Sequence, residues 1–305
     1  MATAQATDNK LPGELKDVPG WFPPLDQVIF SWLLDRQETS GFKGDLLELG
    51  AYMGKSAILL GRHRQDGEEF TVCDLFGGEA PDGANRAETA KSYSSLTRQA
   101  FERNYLSFHD ALPRVLEAPT SVIPQEVAPG SCRFVHIDAS HLYEHVRDDI
   151  GAAQELLVPG GIVVLDDFRS EHTPGVSVAT WEAVLNRGLR PICLTTQKLY
   201  GTWSDPETVQ EELLEMLEAR TDVGLSVQEA AGHRLIRVRA QKGMQAPPFP
   251  HSRHYEEPKP HTSAAPKPAA VPAPRRPRSR ARRIGVDLLP PIVTRAVRRA
   301  RASRS

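Results

Sequence analysis

From residue 25 to residue 240, short apolar runs alternate with stretches whose apolar residues recur at helical spacing. That alternation predicts a doubly wound, mostly parallel α/β sheet covered by helices on both faces. LDQVIFSWLLDRQ (25–37) puts Val28, Ile29, Trp32 and Leu33 on one helical face, and DLLELG (45–50) reads as a buried strand entering a glycine turn. GKSAILLGRH (54–63) reads as a helix, EEFTVCDLF (68–76) as a strand, 86–104 as a helix and YLSFHD (105–110) as a short third strand. RFVHID (133–138) is the next buried strand, followed by a helix over 142–157, a Val-Pro-Gly-Gly turn (158–161) and the strand IVVLDDF (162–168). VATWEAVLNRG (178–188) ends in a glycine helix stop, while PICLTTQKLYGTW (191–203) and HRLIRVRA (233–240) flank an acidic helix near 206–220 and close the sheet. Seven strands are expected.

Right-handed crossovers gather the loops at the carboxyl ends of parallel strands onto one edge, where open sheets bind their ligands. Topology therefore directs attention to Glu48–Ser56, Asp74, Asp110, Asp138–His141 and Asp166–Phe168.

Composition limits the setting. The chain of 305 residues has only three cysteines, Cys73, Cys132 and Cys193, too few and too widely spaced for a disulfide framework or a zinc site. The polar, acid-bearing start fits neither a secretory nor a transit peptide. No apolar run approaches the ~18–20 residues that cross a bilayer. A reduced, cytoplasmic protein is expected. Charge is unevenly distributed: residues 241–305 hold 15 of the 37 Lys and Arg, 3 of the 39 Asp and Glu, and 12 of the 25 prolines. Such a stretch has little apolar surface to offset its ordering entropy. The expected organisation is a loose arm over 1–17, a folded domain over 18–240 and a basic tail over 241–305. Within the tail, PRRPRSRARR (274–283) and a possible short helix over 291–303 suit an anionic membrane surface, nucleic acid or the acidic domain of the same chain, or simply solvent.

The loop Glu48-Leu-Gly-Ala-Tyr-Met-Gly-Lys-Ser56 carries the most specific chemistry. Gly50 and Gly54 allow a tight turn and close backbone approach, and the helix that follows aims its N–H groups into the loop. The Gly-x-x-x-Gly spacing matches neither a dinucleotide fingerprint nor a P-loop, and Glu48 would repel a pyrophosphate. Asp74, at the end of the second strand, either caps a turn or receives ribose hydroxyls; the glycine turn upstream favours the ribose.

LLELGAYMGKSA (46–57) resembles the cofactor loop of class I S-adenosylmethionine-dependent methyltransferases, especially O-methyltransferases of the catechol type. The resemblance implies a Rossmann-like sheet with its last strand pair antiparallel. It also implies that Glu48, Gly50, Tyr52, Gly54 and Ser56 cradle the methionine part of S-adenosylmethionine, that Asp74 holds its ribose, and that Asp110 lies near its adenine.

Asp138, Asp166 and Asp167 lie at the ends of two strands expected to be neighbours. Carboxylates so close resist joint ionisation without a cation or proton between them, and an oxygen-only set suits Mg²⁺. Each acid could alternatively be an ordinary turn residue, and His141 a helix cap. VHIDASHLYEHV (135–146) and LVPGGIVVLDDF (157–168) resemble metal-dependent methyltransferases of the macrolide-sugar type. That resemblance implies Asp138, Asp166 and Asp167 as ligands of Mg²⁺ or another divalent cation and His141 as base. The expected activity is O-methylation of a hydroxylated small molecule or sugar, with Pro19, Trp21, Phe22, the 76–93 stretch, His172 and Trp181 around the acceptor. A homodimer is compatible with the sequence. Two other readings use the same residues: a hydroxylase-like relative and a non-catalytic cofactor-binding adaptor acting through its tail.

Overall fold

The structure, a computed structural model, describes residues 11–78 and 96–257. Five parallel strands form its frame: β1 (Asp45–Leu49), β2 (Phe70–Asp74), β3 (Arg114–Glu117), β4 (Cys132–Ile137) and β5 (Leu157–Leu165). The sheet continues through β6 (Arg190–Leu194), β7 (Leu199–Thr202), β8 (Val223–Ala230) and β9 (His233–Ala240), in the order β3-β2-β1-β4-β5-β7-β6-β9-β8. Its helices are α1 (Pro24–Thr39), α2 (Lys55–Arg62), α3 (Arg98–Phe108), the single turn α4 (Ile123–Glu126), α5 (Tyr143–Leu156), α6 (Pro174–Asn186) and α7 (Glu207–Glu218).

Strands β1 and β4 are buried and mostly apolar because both faces are covered, with Glu48, Arg133 and His136 as buried polar exceptions. One face packs α1, α2, α3 and α7 through residues such as Ile29, Leu59, Phe101 and Leu213. The other packs α5 and α6 through Val146, Ile150, Ala179 and Ala183. The chain moves outward from β1 to β2 and β3, then returns to place β4 on the opposite side of β1. The order reverses there, so the crevice of the sheet opens between the carboxyl ends of β1 and β4.

Nine strands replace the expected seven, and the class of fold is unchanged. Residues 105–108 are the last part of α3, because Phe101 and Tyr105, four residues apart, bury together against the sheet, and 109–110 lie past its end; the third strand is Arg114–Glu117. The 191–203 run folds back on itself as β6 and β7, both antiparallel to each other and β7 also to β5. Strand β8, with most of its residues exposed, pairs along its full length with β9 through a turn at Ala231 and Gly232, both at positive φ. Its polar outer face hid it from apolar patterning.

The folded unit also reaches past the expected limits. Leu15 and Val18 are buried, Ser252 N–H donates to the Gly13 carbonyl (2.9 Å) and Arg253 N–H to that of Ser107 (3.0 Å), and Phe249 packs against Phe108. The polybasic run and the 291–303 segment lie outside the described residues. Among the described residues no helix is long and apolar enough to cross a membrane.

At the opposite edge from the crevice, Arg133 is fully buried. Its guanidinium donates to both carboxylate oxygens of Glu68 (2.9 and 3.0 Å), to Gln37 Oε1 (2.8 Å) and to the His63 carbonyl (2.6 Å). This knot ties α1, α2 and the start of β2 to β4. Arg133→Met leaves Glu68 buried and unpaired, so it should cost about 3–5 kcal/mol in urea unfolding, and adding Glu68→Gln should return part of the loss.

Candidate active site

Gly50 stands at the crevice with φ +80°, and a Cβ on it would lie 2.1 Å from the Asp138 carbonyl oxygen. Only glycine permits that approach of the β1 and β4 ends. Tyr52 follows at φ +49°, and Gly54, at φ +92°, starts α2 against the ring of Phe101. Asp74 holds this loop: its Oδ2 accepts the N–H groups of Ala51 (2.7 Å) and Tyr52 (2.9 Å), and its Oδ1 that of Phe76 (2.6 Å). Burial raises the Asp74 pKa against the pull of these three donors. Oδ1 keeps a lone pair for one ligand hydroxyl.

Two clefts open on either side of the loop. The first lies over β1, β2 and β4, with Gly50, Asp74, Leu75, Thr120, Asp138 and Asp149 on its walls. The second has Trp21, Tyr52, Ser56, Asp138, His141 and Asp167 on its walls. Gly50, Tyr52 and Asp138 belong to both. Lys55 donates to the Gly20 carbonyl (3.0 Å) and so pins the segment carrying Trp21 to α2. The Trp21 ring, 73% exposed, lies 5.7 Å from that of Tyr52.

Several expected residues stand elsewhere. Asp110 lies at the amino end of β3, fully exposed and paired with Arg253 (3.0 Å); with the strand at 114–117, residues 118–121 take the place beside the first cleft. Glu48 is on the wall of neither cleft. It is sealed under the loop with Oε1 2.8 Å from His136 Nδ1, because the pleat of β1 turns it inward. Phe76 and Trp181 pack on Phe101 and Phe168, whereas Pro19, Phe22 and His172 do line the second cleft. Of the 76–93 stretch, residues 79–93 lie outside the described residues.

Asp138, Asp166 and Asp167 all stand at the rim of the second cleft, together with a residue the sequence did not signal. Lys198, fully buried, sets its ammonium on Asp166 Oδ2, 3.4 Å from His136 Nε2 and over the Phe22 ring. Asp166 Oδ1 accepts the N–H of Asp167 (2.8 Å). Asp167, at φ +55°, accepts the Ser170 hydroxyl on Oδ1 (2.8 Å) and faces His141 Nε2 with Oδ2 (3.2 Å). Burial pushes the Asp167 pKa up, but the contacts with His141 and Ser170 outweigh it and hold the carboxyl below its ordinary value. Burial lifts Asp138 to about 6, with Lys198 pulling the other way.

The residues present do not fit a Mg²⁺ centre built from Asp138, Asp166 and Asp167. At this rim, among the described residues, the group whose donor atoms lie within 4.8 Å of one another is His136, Asp138 and Asp166; it omits Asp167 and already holds the Lys198 charge. Two unit charges about 4 Å apart repel by about 4 kcal/mol at an effective dielectric of ~20, and a dication doubles this. A lysine in a Thr-Thr-Gln-Lys hairpin turn normally reads as solvated, so no local pattern marks Lys198. Asp149, also missed, is buried beside the first cleft, and burial raises its pKa to about 6.

Burial also pushes the Glu48 carboxyl up to about 8, against the pull of the Ser56 hydroxyl. The folded chain therefore keeps a proton that the unfolded chain has released, and stability falls as pH rises from about 4.5 to about 8. Glu48→Gln cannot titrate. Its melting temperature relative to wild type should climb steadily across that window; a difference independent of pH would contradict the buried carboxyl.

Residues 47–168 match a family described as a methyltransferase domain. No curated protein sequence matches the chain. Among solved structures, the O-methyltransferase NovP is 20% identical, with 59% of this chain and 81% of that one covered and a TM-score of 0.48. CalS11, a TDP-rhamnose 3'-O-methyltransferase of calicheamicin biosynthesis, is 18% identical, with coverages of 59% and 80% and a TM-score of 0.41. The O-methyltransferase TomG from Streptomyces achromogenes, solved with S-adenosylmethionine, is 17% identical, with coverages of 72% and 81% and a TM-score of 0.33. The family match runs from the middle of β1 to the residue after the Asp166–Asp167 pair, so the part of the chain that resembles a methyltransferase domain includes the glycine loop and both strand ends of the crevice.

Proposed function

We propose that the protein is an S-adenosylmethionine-dependent O-methyltransferase acting on a hydroxyl group of a small, ring-bearing acceptor such as a sugar. The observation that carries this reading is the shared wall: Gly50, Tyr52 and Asp138 border both clefts. A donor in the first and an acceptor in the second would meet there.

The donor-side residues suit a nucleoside. Asp74 Oδ1 has capacity for a ribose hydroxyl and Leu75 offers an apolar surface for the base, while Ser56, at the start of α2 and on the wall of the second cleft, lies where a carboxylate reaching across the shared wall is favoured by the helix N-terminus. S-adenosylmethionine supplies, when bound, a methyl group on a positively charged sulfur. On the acceptor side, the exposed face of Trp21 beside Tyr52 gives a sugar or aromatic ring a surface to stack on.

His141 is the base in this reading. Asp167 orients its ring, and the tautomer that donates Nε2–H to Asp167 places the basic lone pair on Nδ1. Nδ1 takes the hydroxyl proton as the acceptor oxygen bonds to the methyl carbon and the carbon–sulfur bond breaks. Asp167 stabilises the imidazolium that results. Holding the oxygen and methyl carbon at about 3–3.5 Å supplies much of the acceleration.

Calorimetry should show that the chain binds S-adenosylmethionine and that Asp74→Ala weakens binding by roughly tenfold. In a labelled-methyl assay over a panel of diols and glycosides, His141→Ala should lower turnover by about 10²-fold or more with cofactor affinity little changed. A wild-type chain that binds no S-adenosylmethionine would end the proposal, and unaltered turnover in His141→Ala would remove that residue from it.

A further inference from the structure

The rim of the second cleft has a composition that the acceptor chemistry alone does not explain. The buried carboxylates Glu48, Asp166 and Asp26, together with Asp138 on the cleft wall, all act on the Lys198 side chain. A cluster of this kind is unstable without positive charge among its members. The charge present is the Lys198 ammonium, carried into the cluster by the β6–β7 turn.

We propose that Lys198 is the resident cation of this acidic rim, a positioning residue that stands where related sites would hold a divalent metal, so that the acceptor hydroxyl is placed without a metal ion. Three features of the structure support it. First, Lys198 is fully buried, and an ammonium is kept from water only when it is paired; Asp166 is that pair. Second, the remaining groups already have partners. His136 gives one ring nitrogen to Glu48 and the other to the ammonium, Asp166 has one partner on each oxygen, the ammonium among them, and Asp167 contacts His141 and Ser170. Third, the turn that delivers the lysine is braced. Thr195 Oγ1 accepts the Lys198 N–H (2.9 Å), Thr195 N–H donates to the Lys198 carbonyl (2.9 Å), and Phe168 N–H donates to the Gln197 carbonyl (3.0 Å).

The consequence for the reaction is a division of labour. Lys198 neutralises Asp166 and lowers the repulsion on Asp138. Asp138, on the wall of both clefts, is then left to receive the acceptor hydroxyl near His141. The geometric claim stands independently of the methyltransferase reading, while its role in placing an acceptor rests on that reading.

The test is binding of Mn²⁺ by the full chain, followed by the loss of the free-ion electron paramagnetic resonance signal, with S-adenosylmethionine binding measured separately. The wild-type chain should show no saturable site below the millimolar range. Lys198→Met, which releases the carboxylates, should bind Mn²⁺ at least roughly tenfold more tightly than wild type. Adding Asp166→Asn should abolish that gain, and Lys198→Arg should keep the wild-type behaviour. Micromolar Mn²⁺ binding by wild type that Asp166→Asn removes would overturn the proposal. So would a folded Lys198→Met chain with no gain in binding. Where Lys198→Met does not fold, the wild-type and Asp166→Asn titrations decide. Failure to bind S-adenosylmethionine bears on the methyltransferase reading alone.

Discussion

The carboxyl ends of β1 and β4 touch, with Gly50 so close to the Asp138 backbone that a side chain would lie 2.1 Å from the carbonyl oxygen. This contact sets the geometry of everything above the sheet. It brings the glycine loop, which Asp74 grips through three backbone N–H groups, against the strand end that carries Asp138 and, three residues later, His141. It also divides the crevice into two clefts with a common wall. In the proposed reaction, loosening this contact would separate donor from acceptor, which methyl transfer needs at near van der Waals distance.

Buried charge is handled in two ways on the two sheet edges. At the amino edge, Arg133 is saturated by Glu68, Gln37 and the His63 carbonyl, a closed network far from either cleft whose work is to hold strands and helices in register. At the carboxyl edge, Lys198 sits among more carboxylates than it can pair. Burial raises the pKa values of Glu48 and Asp138 there, with neighbouring carboxylates adding to the rise and Lys198 opposing it. Such imbalance is costly to a fold and is found where chemistry needs groups poised near neutrality.

Much of this was readable in the residues. Strands β1, β2, β4 and β5 announce themselves because a strand buried on both faces is mostly apolar along its length, and their ends carry Asp74, Asp138, Asp166 and Asp167 wherever the register falls. The third strand was not readable: Tyr105-Leu-Ser-Phe108 is as apolar as a strand, and its helical state depends on Phe101 and Tyr105 packing together on the sheet. Asp110 was misplaced with it. Strand β8 was hidden by its polar face, and the packing of residues 11–17 and 241–256 by their scarcity of apolar residues.

By itself the sequence determined the class of sheet, the edge on which the two clefts open, the glycine turn and the presence of acids near His141. These follow from local periodicity and from the handedness of crossovers, which act over a few dozen residues at most. Only the tertiary structure decided which way each acid faces and what neutralises it. Glu48 turns inward because of the pleat of β1, and Lys198 reaches Asp166, 32 residues away in sequence, because β7 lies beside β5. Electrostatic pairing depends on distance in space, and no spacing along the chain encodes that distance.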